Sequence, residues 1–303
     1  MNKYYFIINP VNKAKANSLE IEIHSFFSYR KDEYQISFSN NSMHLKKLAT
    51  DAVDQKVDVI IACGGDGTVS EIGQVLINKK IKLGIIPIGS GNGISGHFKI
   101  PNNFIKALEV IIGESSKKMD VGKVDNRYFF SNIGFGIEVE FIRHYAQSKT
   151  HGLFGYLASF LKSFASYKPP FFDIKVENKN ISIKPHVLMI ANTNKQGYGV
   201  GLYPNAKTDD GILNMIIINK TNIFYLNYLI VLVLLGLSIE KKKNVQYIEL
   251  KDLKIISKNY YINSYDSHTI SYHKLCWHGC YVALRKILII SMLGIIIYRE
   301  HID

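Results

Sequence analysis

The feature that most constrains this chain is the junction at residues 57–68. Residues 57–62 are dominated by β-branched side chains, the composition of a strand covered on both faces in a parallel sheet. They run directly into Cys63-Gly64-Gly65-Asp66-Gly67-Thr68, after which apolar residues recur at helical spacing over 69–77. A buried strand, a glycine turn and a helix in immediate succession belong to folds in which parallel strands are joined by helical crossovers. The flanking sequence has the same rhythm. Residues 4–8 read as a buried strand, residues 14–28 carry Leu19, Ile23, Phe26 and Phe27 at helical spacing, and Tyr34, Ile36 and Phe38 alternate as a strand does. A helix with Leu45, Leu48, Ala49 and Ala52 on one face follows, and residues 82–86 form another buried strand. The expected N-terminal unit is therefore a doubly wound α/β domain.

Beyond about residue 115 the rhythm changes. Residues 128–133, 172–176, 181–183, 187–191, 213–218, 247–250 and 253–256 are short runs rich in Val, Ile, Tyr and Phe, and Asn178-Lys179-Asn180 reads as a hairpin turn. Helical patterns interrupt them at 153–164 and 223–239. The expected organisation is an α/β domain over 1–120, a β-rich sandwich domain over 121–290 and an apolar tail over 291–303, with the site in the cleft between two unlike domains. The stretch 223–239 is broken by Asn227 and is 17 residues long, at the lower edge of a bilayer span, so a buried or interfacial helix is expected there.

Charge narrows the partners. The formal net charge is +12, which excludes an acidic solvating tail and favours nucleotide phosphates, nucleic acid or an anionic membrane surface. Cys63, Cys276 and Cys280 are too few for a disulfide framework. The apolar run at 4–8 ends at Asn9-Pro10, short of an export signal, so a cytoplasmic protein is expected.

The glycines of 64–68 let backbone N–H groups face a ligand, and the helix behind them adds partial positive charge for a phosphate. No Gly-Lys-Ser/Thr follows, so this is not a Walker loop. Asp66 in such a cradle would repel phosphate unless a divalent cation or a neighbouring donor offset its charge; the simpler reading is a turn in which Asp66 and Thr68 cap the helix. A second glycine loop, Gly89-Ser90-Gly91-Asn92-Gly93, follows the next strand, so both emerge at the carboxyl ends of adjacent parallel strands. Asn9-Pro10 opens onto the same rim.

Asn9-Pro10, Gly64-Gly65-Asp66-Gly67-Thr68 with Glu71 a turn later, and Gly89-Ser90-Gly91-Asn92 together resemble the diacylglycerol kinase catalytic domain family, which includes soluble bacterial lipid kinases and the sphingosine kinases. The resemblance continues through Asp120-Val121-Gly122, Asn132-Ile133-Gly134-Phe135-Gly136 and Ala206-Lys207-Thr208-Asp209-Asp210-Gly211, covering about residues 3–290. It implies ATP in the cleft, the 64–68 loop over the phosphates, Asn9 and Asn92 lining the nucleotide site, Glu71 fixing the loop, and a β-sandwich domain that receives a lipid hydroxyl. It also implies Mg²⁺ at the Asp-Asp-Gly corner, on Asp210 and the carbonyls of Lys207 and Ile212; without the resemblance that corner reads as a β-turn. Peripheral association with the anionic inner face of a membrane fits the charge surplus, with Lys241-Lys242-Lys243 beside the apolar helix, whereas no motif supports nucleic acid.

Phosphoryl transfer to an alcohol needs a carboxylate to take the proton. The family's base is the Asp of an Asp-Gly-Glu segment, followed a strand pair later by Ala-Leu and a basic residue. Counting back from Ala283-Leu284-Arg285 lands on Asp266, in Asp266-Ser267-His268. The aspartate is kept and the Gly-Glu is not. Three readings stand: Asp66 and a variant base Asp266 as the catalytic pair, with His268 in place of the carboxylate; a nucleotide- and membrane-binding homologue without turnover; or an altered reading frame there. NAD kinase shares the Gly-Gly-Asp-Gly-Thr loop, but the second glycine loop argues against it. His273, Cys276, His278 and Cys280 lack the spacing of a recognised zinc knuckle, and nothing ties His97 or His144 to chemistry.

Overall fold

The computed structural model describes residues 2–10, 13–89, 91–113, 116–124, 127–137, 144, 158–159, 161–164, 167–169, 171–176, 179–195, 201–250, 252–257, 274–277, 280–283 and 287–298. Four parallel strands, β1 (Lys3–Ile8), β2 (Glu33–Phe38), β3 (Val59–Gly64) and β4 (Lys82–Pro87), lie in the order β2-β1-β3-β4. Helices α1 (Lys13–Phe27), α2 (Ser42–Asp54) and α3 (Asp66–Leu76) form the crossovers. Every residue of β3 is buried, as its β-branched run requires, while the edge strand β2 is partly exposed along its length. α2 buries Leu45, Leu48, Ala49 and Ala52, the four residues of its apolar face, and Asn41 caps it by accepting from the His44 amide. The order matters for function. From β1 the chain crosses to β2 on one side, whereas β3 lies on the other, so a crevice opens at the carboxyl ends of β1 and β3.

Two short helices follow, α4 (Gly93–His97) and α5 (Phe104–Ile112). The remainder is mostly antiparallel: β5 (Ser116–Val124), β6 (Arg127–Phe129), β7 (Asn132–Gly136), β8 (Phe172–Val176), β9 (Lys179–Ile183), β10 (Pro185–Ala191), β11 (Leu213–Asn219), β12 (Val245–Leu250), β13 (Asp252–Ser257), β14 (Lys274–Trp277), β15 (Cys280–Ala283) and β16 (Ile287–Tyr298), with helix α6 (Ile223–Leu234) after β11. The first sheet continues β2-β1-β3-β4-β16-β13-β8-β9, with β5 on β16 and β6 on β5; the second runs β12-β11-β10-β7-β14-β15. Their inner faces share one core in which Val121, Phe129, Phe172 and Ile174 meet Phe135, Leu188, Leu213, Met215 and Ile217. On β11 the alternate residues Ile216 and Ile218 point outward and pack under α6 against Leu226, Leu229 and Val233.

Several elements depart from the sequence expectation. The run 128–133 is two strands, because Phe130 and Ser131 turn the chain from the first sheet to the second while Asn192 takes their carbonyls, the side chain on Phe130 and the main-chain amide on Ser131. Lys179 and Asn180, expected in a hairpin turn, are the first residues of β9. The helical stretch 223–239 ends at Leu234: Gly236 takes φ +72°, its amide bonds the Val233 carbonyl and the Leu237 amide reaches back to Leu232, a Schellman closure. At 12 residues α6 is about 18 Å long, too short for a bilayer; among the described residues no helix is long and apolar enough to cross a membrane. The apolar residues beyond 290 continue the strand β16 as far as Tyr298. Of the helical pattern at 153–164, residues 158–159 and 161–164 are helical, and the rest lies outside the described residues.

Candidate functional site

The rim of the parallel sheet gathers the sequence-marked residues. Asn9 leaves β1 with its amide bonded to the Cys63 carbonyl, and its side-chain amide donates to Thr68 Oγ1 at 2.9 Å. Gly64 closes β3 and Gly65 is the N-cap of α3, with the Val69 amide closing the first turn on the Gly65 carbonyl. The helix thus begins at Asp66, three residues before its apolar periodicity. No side chain caps α3, so the cap reading of Asp66 and Thr68 is not what the geometry gives. The first turn of α3, with the positive pole of the helix, lies at the rim, and among the described residues no side chain caps it.

Asp66 instead reaches the second loop. Its Oδ2 accepts from the Gly93 amide at 2.8 Å and its Oδ1 from the Ile94 amide at 2.9 Å, so the buried carboxylate receives the first two amides of α4. These neighbouring donors supply the charge compensation that the sequence left open between a donor and a divalent cation. Asn92, at the head of α4, takes the left-handed conformation (φ 53°) that Asn tolerates, and its side chain donates to the Gly89 carbonyl at 2.8 Å. The two glycine loops touch: a Cβ on Gly89 would overlap the Gly65 Cα, and one on Gly65 would press on Gly89. Asn92 Oδ1, beside Gly65, is buried with no hydrogen-bond partner among the described residues. Gly91 is half-buried between these groups; Ser90 lies outside the described residues.

Behind the rim, α3 is held through its second half. Glu71, buried, pairs with the Lys46 ammonium of α2 at 3.0 Å. Gln74 brackets Tyr128 of β6, accepting from its amide at 3.0 Å and donating to its carbonyl, while Gly73 packs against the Phe130 ring. Cys63 is buried beneath, and burial pushes its thiol far above the usual range, which keeps it unreactive.

The Asp-Asp-Gly corner forms a second cluster. Asp120, on β5, accepts the Gly211 amide at 2.6 Å and bonds the Thr208 carbonyl through its own amide; Asp210 Oδ1 accepts from the Ile212 amide at 3.0 Å. Burial holds the Asp120 carboxyl above the ordinary carboxylate range, with the charges of Asp210 and Asp209 adding to this against the Gly211 bond. Lys207, Asp209 and Asp210 are exposed, and among the described residues no three His, Cys, Asp or Glu side chains gather as a metal site.

Asn192 to Asn194 join the two clusters. The fully buried Asn192 side chain donates to the Asp120 carbonyl at 2.6 Å, and Asn194 meets His97 of α4 through its side chain at 2.7 Å and its amide at 3.2 Å. Three consecutive residues therefore tie the acidic corner to the helix that Asp66 holds. No motif spacing marks Asn192, Asn194, Lys46 or Gln74. His97 takes a structural place between the domains, and His144 sits 2.7 Å from Ser163 Oγ. Asp266, Ser267 and His268 lie outside the described residues, as do Leu284 and Arg285.

Known proteins resemble this chain in both of its parts. Residues 3–124 match the diacylglycerol kinase catalytic domain, and residues 131–266 match the YegS C-terminal NAD kinase beta sandwich-like domain; these matches stop at 266, short of the span to about 290 suggested by the motifs. A diacylglycerol kinase of Staphylococcus aureus (strain bovine RF122 / ET3-1) is 32% identical over 216 residues, 67% of this chain and 68% of the relative. That of Staphylococcus aureus (strain Newman) is 33% identical over 211 residues, 68% of this chain and 66% of the relative. The crystal structure of a diacylglycerol kinase from Bacillus anthracis str. Sterne superposes with a TM-score of 0.72 at 19% identity, covering 99% of this chain and 97% of that one, a likeness of fold.

Proposed function

Because the chain belongs to the diacylglycerol kinase catalytic domain family, we propose that it transfers the γ-phosphoryl group of ATP to a hydroxyl of diacylglycerol or a related lipid, working at the cytoplasmic face of a membrane. The observation that carries this reading is the interlock of the two glycine loops, which leaves a neutral cradle of main-chain amides at the start of α3. Such a cradle fits nucleotide phosphates, whose charge is met by amide dipoles. The unpartnered Asn92 Oδ1 fits a donor on the nucleotide. In this reading Asn9, Gly64, Gly65, Gly67, Thr68, Gly89, Ser90, Gly91 and Asn92 bind ATP. Asp66 acts as a positioning residue that fixes the second loop, and Glu71 steadies α3 through Lys46.

The acidic corner is the place for Mg²⁺. Burial, with the charges of Asp210 and Asp209 added to it, raises the Asp120 pKa, and a cation would relieve the part due to charge. Asp210 with the carbonyls of Lys207 and Ile212 would fill three of six octahedral positions and leave three to water, which suits Mg²⁺. When bound, the ion would neutralise phosphate charge. Asp266 is assigned the general base that takes the acceptor's proton.

The test is phosphorylation of diacylglycerol in mixed micelles with Mg²⁺-ATP. Wild-type protein should label the lipid and Asp266→Asn should not. ATP binding without turnover on any lipid in a panel would replace this reading with the non-catalytic one.

A further inference from the structure

Helix α6 is apolar on two opposite sides. Leu226, Leu229 and Val233 are buried on the outer face of the second sheet. On the other side Phe224, Tyr228, Val231 and Leu235 follow one another at spacings of four, three and four residues, a single stripe about 16 Å long. They are 83%, 44%, 51% and 68% exposed, and Leu234 and Leu237 beside them are exposed as well. An apolar stripe at helical spacing is ordinarily the core-facing side; here the core already has the opposite one.

Cations rim the stripe. The connection after α6 returns along the helix: Tyr225 Oη donates to the Lys243 carbonyl at 3.0 Å, and the Lys242 ammonium stands 5.6 Å from the centre of the Tyr228 ring. Lys241, Lys242 and Lys243 are thus set beside the stripe, with Lys220 before the helix. Glu240 is the acid in the 236–244 connection. Exposed aliphatic and aromatic side chains bordered by lysines are complementary to a lipid surface that offers acyl chains and anionic headgroups together.

We propose that the outer face of α6, with Lys241–243, is where this protein docks on an anionic bilayer, the helix lying in the interface rather than crossing it. The inference deepens the functional reading, and rests on it in that a kinase with a bilayer-resident acceptor must meet the membrane.

The full-length protein is measured by flotation with phosphatidylglycerol vesicles and with phosphatidylcholine vesicles, as wild type, as Phe224→Gln/Val231→Gln/Leu235→Gln and as Lys241→Gln/Lys242→Gln/Lys243→Gln. Wild type should prefer phosphatidylglycerol. The lysine variant should bind it about a hundredfold more weakly, and the apolar variant about tenfold or more so. Because these side chains are exposed, apart from the half-buried Lys242 over Tyr228, melting and the phosphorylation of a water-soluble short-chain diacylglycerol should match wild type. Undiminished vesicle binding by both variants overturns the docking face. So does a wild-type dimer that becomes monomeric in the apolar variant, which would assign the stripe to a second copy of the chain. Loss of vesicle binding in the variants, with no lipid phosphorylated by any protein, would keep the docking face and sink the kinase reading.

Discussion

Asp66 shows how little a residue's type says about its partner. The sequence places a carboxylate in a phosphate cradle, and only the fold brings it to the Gly93 and Ile94 amides, 27 and 28 residues away. Removing it strands two buried amides, at about 1–3 kcal/mol each. Asp66→Ala should therefore lower the urea-unfolding free energy by roughly 2–6 kcal/mol and weaken ATP binding, because α4 and the second loop lose their anchor. Asp66→Asn keeps an acceptor oxygen and should fall between. If Asp66→Asn unfolds like wild type yet turns over no ATP, Asp66 acts on the reacting atoms instead. Gly89→Ala tests the contact directly: its methyl has no space against Gly65, so nucleotide affinity should drop in calorimetric titration while the two sheets remain folded. That Asn9, Gly65, Thr68 and Asn92 gather at one rim was legible from glycine loops at the ends of adjacent strands, and the nucleotide role proposed for Asn9 and Asn92 came from the family resemblance. Lys46, Gln74, Asn192 and Asn194 were not, since each acts through a tertiary contact that no local pattern encodes.

At the scale of elements, buried strands and amphipathic helices could be read from the sequence because burial writes itself into residue type. β1 to β4, the face of α2 and strands β8 and β10 to β13 fall where the runs of β-branched and aromatic residues predict. α5 did not, for a physical reason. Val110, Ile111 and Ile112 have strand composition, and the sign of a helix is the Asn103 side chain accepting from the Lys106 amide. The docking of α6 carries a pH dependence. His186, at the start of β10, accepts the Thr221 amide on Nδ1, just ahead of α6. Burial, then the Lys220 charge, lowers its pKa below 6.5. The folded state therefore favours the neutral ring. Stability is full above pH 6.5 and is lost as pH falls from there to the lowered folded pKa, because the unfolded chain takes up the proton first. His186→Gln should flatten this part of the stability profile measured by chemical denaturation between pH 5 and 7.5; an unchanged slope would place the titration elsewhere.

For the whole molecule the question is what makes two dissimilar halves one folding unit. Gln74, Asn192 and His97 join them through side chains and Asp120 through its amide on the Thr208 carbonyl, but among the described residues the strand they share is β16. It pairs in parallel with β4 at Ile297 and Leu83, and antiparallel with β5 and with β13, so the four-stranded parallel sheet and the sandwich share one hydrogen-bonded layer. The sequence showed these residues as apolar and stopped there, since a run such as Ile287 to Tyr298 carries no information about which strands it will lie between. The bridge makes a specific demand on cooperativity. Trp277, the single tryptophan, is in β14 of the second sheet, so its fluorescence follows that sheet while far-UV circular dichroism follows every helix and strand. In the full chain the two signals should change together in urea. A chain ending at residue 286 keeps the side-chain links but loses the shared strand; its fluorescence should change at lower urea than its helical signal, because the doubly wound half retains its own parallel sheet and crossovers while the sandwich loses its central pairing. Coincident transitions in the truncated chain would mean that the side-chain contacts of α3, α4 and residues 192–194 suffice to couple the halves, and that β16 only covers an edge.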